Sequence, residues 1–290
     1  MVFFLSDYGT RDEFVGVVHA VLVSLAPNVV VIDLTHRIPA FDVRAGAHTL
    51  VRAVPHLPPG VVLAVVDPGV GSSRRGLCLQ CKGDHDEPTF FIGPDNGLLV
   101  AAAELVGHGS IDQAFELSPQ SSKAEPSQTF DGRDLFAPAA AALCRGTPPQ
   151  HLGQPIEVES LVRLFDGVVE HGRMADGRIC LRAEVTWVDH FGNIQLAATL
   201  DDARTAGLSF QDTVSVTAVV ESDLVSQPRL PRSLVPEGAN LRCVQTFADL
   251  DQGELGLLAD SNNHLAVVAG QASASHWLNV ASGELLVLVW

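Results

Sequence analysis

Basic residues are scarce in this chain: 18 Lys and Arg stand against 34 Asp and Glu, a formal charge of -16 over 290 residues. Polyanion binding needs clustered cations, so this balance argues against a nucleic-acid partner. A field of that sign is compatible with a cationic ligand. No apolar run approaches the roughly 20 residues of a membrane span, and Met1 to Leu5 is too short and too lightly charged for a signal peptide. The expectation is a cytoplasmic protein without a membrane partner. There is no GxGxxG in a βαβ setting, because the glycines from Gly69 to Gly76 lead into a strand, and this disfavours a nicotinamide dehydrogenase. A Walker loop and an HExxH helix are missing too. None of the 11 histidines pairs at metal-ligand spacing, so no metal is expected. The five cysteines, at 78, 81, 144, 180 and 243, are odd in number and scattered, as reduced thiols are. Cys78 and Cys81 lie three apart on an expected strand and so face opposite ways, with no second pair to complete a zinc site.

What is present is a soluble composition, 47% hydrophobic and 18% charged, on a chain long enough for two domains. Over residues 1–165, β-branched runs alternate with helical patterns. Val2 to Leu5, Val29 to Leu34 and Gly60 to Asp67 read as strands, and Asp12 to Leu25, Asp42 to Val54 and Gly97 to Val106 as helices. Leu77 to Lys82 and Thr89 to Ile92 form an expected hairpin. Such alternation predicts an α/β domain with a mainly parallel sheet. A polar stretch from Ser118 to Gln128 reads as a surface loop before an alanine-rich helix from Leu135 to Cys144, and Gln154 to Asp176 reads as a linker. From Gly177 onward only short strand-like runs follow, so residues 166–290 are expected to hold the linker and an all-β, barrel-like domain.

Four polar clusters punctuate the first domain: Asp7 to Thr10, Asp67 to Arg75, Gly93 to Gly97 and Thr129 to Asp134. Three directly follow strands, and a parallel sheet gathers such loops at its carboxyl edge, where ligands bind in open α/β folds. The central one, Val65-Val66-Asp67-Pro68-Gly69-Val70-Gly71-Ser72-Ser73-Arg74-Arg75, joins a buried strand to a glycine-loosened turn with a carboxylate and two guanidiniums. Each cluster also reads as an ordinary turn, and Pro94-Asp95-Asn96-Gly97 is good turn chemistry. In the second domain, Asp189-His190-Phe191-Gly192-Asn193 offers a carboxylate, a ring and an amide, or equally a strand-to-strand turn. Asp260-Ser261-Asn262-Asn263 is either a hairpin turn or a donor cluster.

Taken together, these segments resemble the S-adenosylmethionine (SAM) hydroxide adenosyltransferases, adenosine-forming SAM hydrolases related to fluorinating and chlorinating enzymes. The likeness runs through Leu5 to Thr10, Asp33 to Pro39, Val66 to Gly71, Gly93 to Leu98, Thr129 to Asp134 and Asp189 to Asn193, in family order. It implies an α/β domain followed by a β-barrel, and a homotrimer with SAM bound between the first domain of one subunit and the second domain of its neighbour. The implied activity is hydrolysis of SAM to adenosine and L-methionine, with SAM as substrate and no cofactor. The implied site has Asp7 holding the ribose hydroxyls, Phe41 packing on the nucleoside, and Asn193 with the backbone near Gly270 and Gln271 reading adenine. Asp189 and Ser261 would hold the amino and carboxylate ends of the methionine part. Asn96, Phe130, Phe191 and Asn262 complete the expected substrate contacts.

The implied water-activating trio is Asp, Arg and His. Asp67 and Arg75 are expected to supply the first two, but the chain has Asp131 where the family has His. A carboxylate with an ordinary pKa of about 4 is a weaker base than imidazole, and the expectation is that Asp67 and Asp131 share Arg75. Two other readings accompany the hydrolase. A halogenase is disfavoured because two carboxylates repel halide, and because the loop Gly83 to Pro88 lacks the insertion of the fluorinating members. A non-catalytic SAM or adenosine sensor would retain the pocket after losing the His.

Overall fold

The computed structural model describes residues 1–118, 127, 129–165, 167–209, 213–219 and 239–290. The surface loop expected between residues 118 and 128 lies largely outside them. The chain divides into two compact units, Met1–Leu164 and Phe165–Trp290.

The first unit contains β1 (Val2–Ser6), α1 (Phe14–Leu25), β2 (Val31–Thr35), α2 (Val43–Ala53), β3 (Val61–Val65), β4 (Gly76–Cys81), β5 (Thr89–Pro94), α3 (Val100–Val106), β6 (Gln113–Leu117), α4 (Ala137–Cys144) and β7 (Gly153–Ile156). Its seven-stranded sheet has the order β2-β1-β3-β5-β4-β6-β7. β2, β1, β3 and β5 pair in parallel, and antiparallel pairings then add β4, β6 and β7. β1 and β3 are buried along their whole length, as central strands covered on both faces must be. Val2, Phe4, Leu63 and Val65 pack with Val18 and Leu22 of α1 and the alanines of α4, and α2 lies against α3. The parallel register, with Ser6 beside Val65 and Leu63 beside Ile92, brings the loops after β1, β3 and β5 out at one edge.

The second unit contains β8 (Val169–Arg173), β9 (Ile179–Val188), β10 (Ile194–Thr199), α5 (Leu200–Thr205), β11 (Thr213–Val219), β12 (Ala239–Cys243), β13 (Leu255–Ala259), β14 (His264–Ala269), α6 (Ala274–Leu278) and β15 (Leu285–Val289). The order β10-β14-β13-β12-β11-β15-β9 closes through a β10–β9 pairing into a seven-stranded barrel, and β8 adds to β9 outside it. Inward positions alternate: Leu181, Ala183 and Val185 on β9, Val214 and Val216 on β11, and Leu286 and Leu288 on β15 fill the interior, as the two-residue period of a strand dictates. The sheet and barrel expected from the pattern are therefore both present. The linker expected from Gln154 to Asp176 is not plain coil: β7 and β8 fall within it. β7 carries Pro155 and sits at the sheet edge, where a missing N–H is tolerated.

Gly93 shows how tightly β5 meets β3. A Cβ built there would stand 2.2 Å from the Ala64 carbonyl oxygen, so Gly93 is needed for strand approach. Gly93→Ala is expected to lower unfolding free energy by about 2 kcal/mol through overpacking, read as a lower urea midpoint with an unchanged slope.

Candidate active site

The loop after β3 is short and self-bonded. Val70 N–H donates to the Asp67 carbonyl at 3.3 Å and Ser72 N–H to that of Gly69 at 3.1 Å. The Ser72 hydroxyl also donates to the Gly69 carbonyl at 2.6 Å and accepts from Arg74 N–H at 3.3 Å. This fold-back returns residue 74 to the aspartate at which the strand ended. Arg74 Nε donates to Asp67 Oδ1 at 2.9 Å, and Nη2 contacts both Asp67 Oδ2 and Asp131 Oδ2. The guanidinium also lies 5.2 Å from the centre of the Phe136 ring. It is therefore a cation with a carboxylate on either side and an aromatic face against it, and its side chain is only 11% exposed. Burial alone would lower the Arg74 pKa, but the two carboxylates hold it above its ordinary value, so it stays charged.

Asp67 and Asp131 do share an arginine, but it is Arg74, and the assignment to Arg75 is corrected. Arg75 directly precedes β4, and its side chain runs elsewhere. Its Nε donates to Asp95 Oδ2 at 2.8 Å, Nη1 to Ser160 Oγ at 3.1 Å and Nη2 to the Ser160 carbonyl at 2.7 Å. Asp95 Oδ1 in turn accepts from Val162 N–H at 3.0 Å. Arg75 is a clamp between the loop after β5 and residues 160–162. Adjacent residues in extended chain point to opposite sides, which explains why neighbouring arginines part ways.

Asp131 is positioned by the turn on its C-terminal side. Residues Gly132–Phe136 form a π-helical turn running into α4, a wider turn that recurs at functional sites. Gly132 leaves room for Tyr8 beside it, because a Cβ there would stand 2.1 Å from Tyr8 Oη. Tyr8 sits in an aromatic cluster, with ring centres 5.7 Å from Phe14 and 5.8 Å from Phe130. Sequence reasoning gave Tyr8 no role of its own. The signal was there, since it is the only tyrosine and lies within the first polar cluster.

Asp7, at the end of β1, accepts from Phe41 N–H through Oδ2 at 2.9 Å. Phe41 has φ 69°, a left-handed conformation costly for a residue with a Cβ, and the residue is 72% exposed. The bond to Asp7 holds an aromatic face out toward solvent. Asn96 turns its amide inward: Nδ2 donates to the Val66 carbonyl at 2.8 Å and Oδ1 accepts from Leu98 N–H at 3.2 Å. It fixes the strand end that bears Asp67.

In the second unit, Asp189 organises its own turn. Oδ1 accepts from Phe191 N–H and Asn193 N–H, both at 2.9 Å, and Oδ2 from Asn193 Nδ2 at 2.8 Å. Asp189, Phe191, Asn193 and Gln271 line one pocket of about 760 Å³, together with Phe247 and Ser273. Ser261 and Asn262 are not among its lining residues. They occupy the turn between β13 and β14, where Asp260 Oδ1 accepts from Asn262 N–H at 2.8 Å and His264 N–H at 3.0 Å. Gln271 follows the other end of β14.

An α/β sheet with a carboxylate–guanidinium–carboxylate group at its strand ends, followed by a β-barrel with a pocket at Asp189, Phe191 and Asn193, places the chain among two-unit α/β-plus-barrel proteins. Comparison with known proteins makes the assignment particular. Residues 2–153 match the SAM hydroxide adenosyltransferase N-terminal domain and residues 183–287 the corresponding C-terminal domain. The chain belongs to the SAM hydroxide adenosyltransferase family. A protein of Salinispora tropica named (R)-S-adenosyl-L-methionine hydrolase is 42% identical over 98% of this chain and 95% of its own. A fluorinase from Actinoplanes is 28% identical over the same shares. A crystal structure of a conserved protein from Thermotoga maritima superposes with a TM-score of 0.82 at 31% identity, covering 99% of both chains.

Burial first, and then the charges of Asp7, Asp67 and Asp131, raise the Tyr8 pKa well above its ordinary value, with Arg74 opposing. A raised folded-state value means that stability is complete below the unfolded value near 10 and is lost as pH rises above it. In an alkaline absorbance titration, this single phenol is expected to ionise only well above pH ~10, together with unfolding. Ionisation near pH ~10 in a folded chain would contradict the described environment.

Proposed function

We propose that the protein hydrolyses SAM to adenosine and L-methionine, with an activated water attacking the ribose 5′ carbon. The observation that carries this reading is the Asp67–Arg74–Asp131 group at the strand edge, in a chain 42% identical to a protein named for that hydrolysis. The bond from the water oxygen to C5′ forms as the C5′–S bond breaks. Sulfur keeps the electron pair and leaves as a neutral thioether, so no acid is needed. The water does need alignment behind the carbon and a base for its proton.

Asp131 takes that proton, Arg74 stabilises the hydroxide character, and Asp67 fixes Arg74 through its two-pronged contact. The group carries one net negative charge, counting two carboxylates and one guanidinium. That favours a sulfonium beside it and disfavours a halide nucleophile, which separates this chain from its fluorinase relatives. Asp7 holds the ribose hydroxyls, and Phe41 and Phe130 bound the nucleoside. Asn193 and Gln271 read adenine, with Phe191 beside them. Asp189 accepts three hydrogen bonds within its turn, and a carboxylate has about four acceptor sites, so capacity remains for the methionine ammonium. Ser261, with Asn262, takes the methionine carboxylate. No cofactor is required by the chemistry as written.

The test is incubation with SAM, with and without chloride, followed by chromatography. Adenosine and methionine in equal amounts are expected, independent of chloride. Tight SAM binding without products would instead indicate a sensor, and a chloride-dependent halonucleoside a halogenase. Asp131→Asn should lower kcat by about 100-fold. Asp131→His should keep turnover and place the acid limb of the pH profile near the imidazole value of about 6.5. A rate indifferent to both changes would remove Asp131 from the reaction.

The homotrimer implied by the resemblance, with SAM held between the first domain of one subunit and the second domain of its neighbour, and the cytoplasmic location belong to the same proposal. Light scattering should return three times the 30.8 kDa chain mass, and a monomer mass would count against the assembly.

A further inference from the structure

A polar cluster outside the proposed chemistry lies at the β2 side of the sheet. Among the described residues, His19 on α1, Asp33 on β2 and His36 just beyond it bring two imidazole nitrogens and a carboxylate oxygen within 4.8 Å of one another. His19 Nε2 is 2.8 Å from Asp33 Oδ1, and His36 Nε2 is 3.0 Å from the same oxygen. The two contacts differ in kind. His19 is aligned for a hydrogen bond. His36 is 6% exposed, and its Nε2 is buried without a hydrogen bond. A nitrogen so close to an acceptor fails to bond only when the acceptor stands off its axis. At the tetrahedral angle two zinc ligands, each about 2.1 Å from the ion, stand about 3.4 Å apart, so an ion would draw these groups slightly wider than the 2.8 and 3.0 Å they keep here.

The other side of the His36 ring is already anchored. Nδ1 lies 2.8 Å from Ser6 Oγ in a buried contact. With Nδ1–H donating to that hydroxyl, Nε2 presents its lone pair toward Asp33, and such an outer partner is what metal-bound histidines use to fix ring and tautomer. The side chains of His19 and Asp33 are 32% and 41% exposed, which leaves an entry path and room for water ligands.

We propose that His19, Asp33 and His36 form a site for one late first-row divalent cation, represented by Zn²⁺. Two nitrogens and one carboxylate suit Zn²⁺ or Co²⁺, whereas Mg²⁺ and Ca²⁺ prefer oxygen throughout. The ion takes no part in the hydrolysis. It ties α1 to β2 and, through Ser6, whose hydroxyl accepts from Tyr8 N–H at 3.3 Å, steadies the loop that carries Asp7 and Tyr8. This departs from the sequence-based expectation of no metal, which looked for ligand spacing within one element. Here Asp33 and His36 are three apart, but His19 arrives from a helix fourteen residues upstream.

The metal-stripped full chain would be titrated with Co²⁺ by visible absorption and with Zn²⁺ by calorimetry. One equivalent of each is expected, with Zn²⁺ displacing Co²⁺. His19→Ala and Asp33→Asn should each abolish that equivalent while far-UV circular dichroism is unchanged, and Ser6→Ala should weaken it about 10–100-fold. His19, on the partly exposed side of α1, is the deciding variant should Asp33→Asn fail to fold. Absence of one-to-one uptake by the native chain overturns the proposal, as does uptake that His19→Ala leaves intact. These readouts are independent of SAM turnover.

Discussion

The first unit depends on one charge arrangement: a guanidinium held between two carboxylates at the edge of a sheet. Two carboxylates brought together repel, and each loses hydration as the loops close over it, so the arrangement requires the Arg74 cation. That requirement propagates outward. The loop after β3 must double back within seven residues, which the Ser72 bonds achieve. The chain before α4 must deliver Asp131 at the right height, which the π-helical turn achieves. Tyr8 Oη lies close to that turn, in space that the missing Cβ of Gly132 leaves free. The hydrophobic core sets the strand order, but the ion group determines the paths open to the loops.

Much of this was legible from the residues. The β-branched runs ending in Asp7 and Asp67 located the strand ends, and a parallel sheet necessarily brings such ends to one edge. The identity of the shared arginine was not legible. Arg74 and Arg75 are chemically equal in the sequence, and only the path of the turn decides which one faces Asp67. The Ser261–Asn262 turn illustrates a different limit. Its composition suits a carboxylate site and a hairpin turn equally, and composition alone does not say which; the turn lies at the opposite end of β14 from Gln271. β6 and β7 escaped notice because Gln113 to Leu117 mixes polar with apolar residues and Gly153 to Ile156 contains proline. Both are held by pairing, not by propensity.

The two arginines also show how one dipeptide can divide labour. Arg74 faces the site and holds charge where the proposed reaction needs it. Arg75 faces away and fastens the loop after β5 to residues 160–162 near the end of the unit. A lysine at either position would keep the charge and lose the forked geometry on which both contacts depend. The Asp95 and Asn96 turn belongs to the same scaffold: one side chain receives Arg75 and the other braces the end of β3.

The π-helical turn bears on how this family can change length. An α-helix advances about 100° per residue, so removing one residue from Gly132–Phe136 to make the turn α-helical would swing Asp131 by roughly that angle relative to the alanine face of α4 buried in the core. Because α4 is locked by packing, the displacement would fall on Asp131 and not on the helix. Substitution at position 131 therefore leaves the backbone spacing intact, whereas insertion or deletion between 131 and 137 does not. Within this stretch the residue that faces Arg74 can be exchanged while the spacing behind it stays fixed.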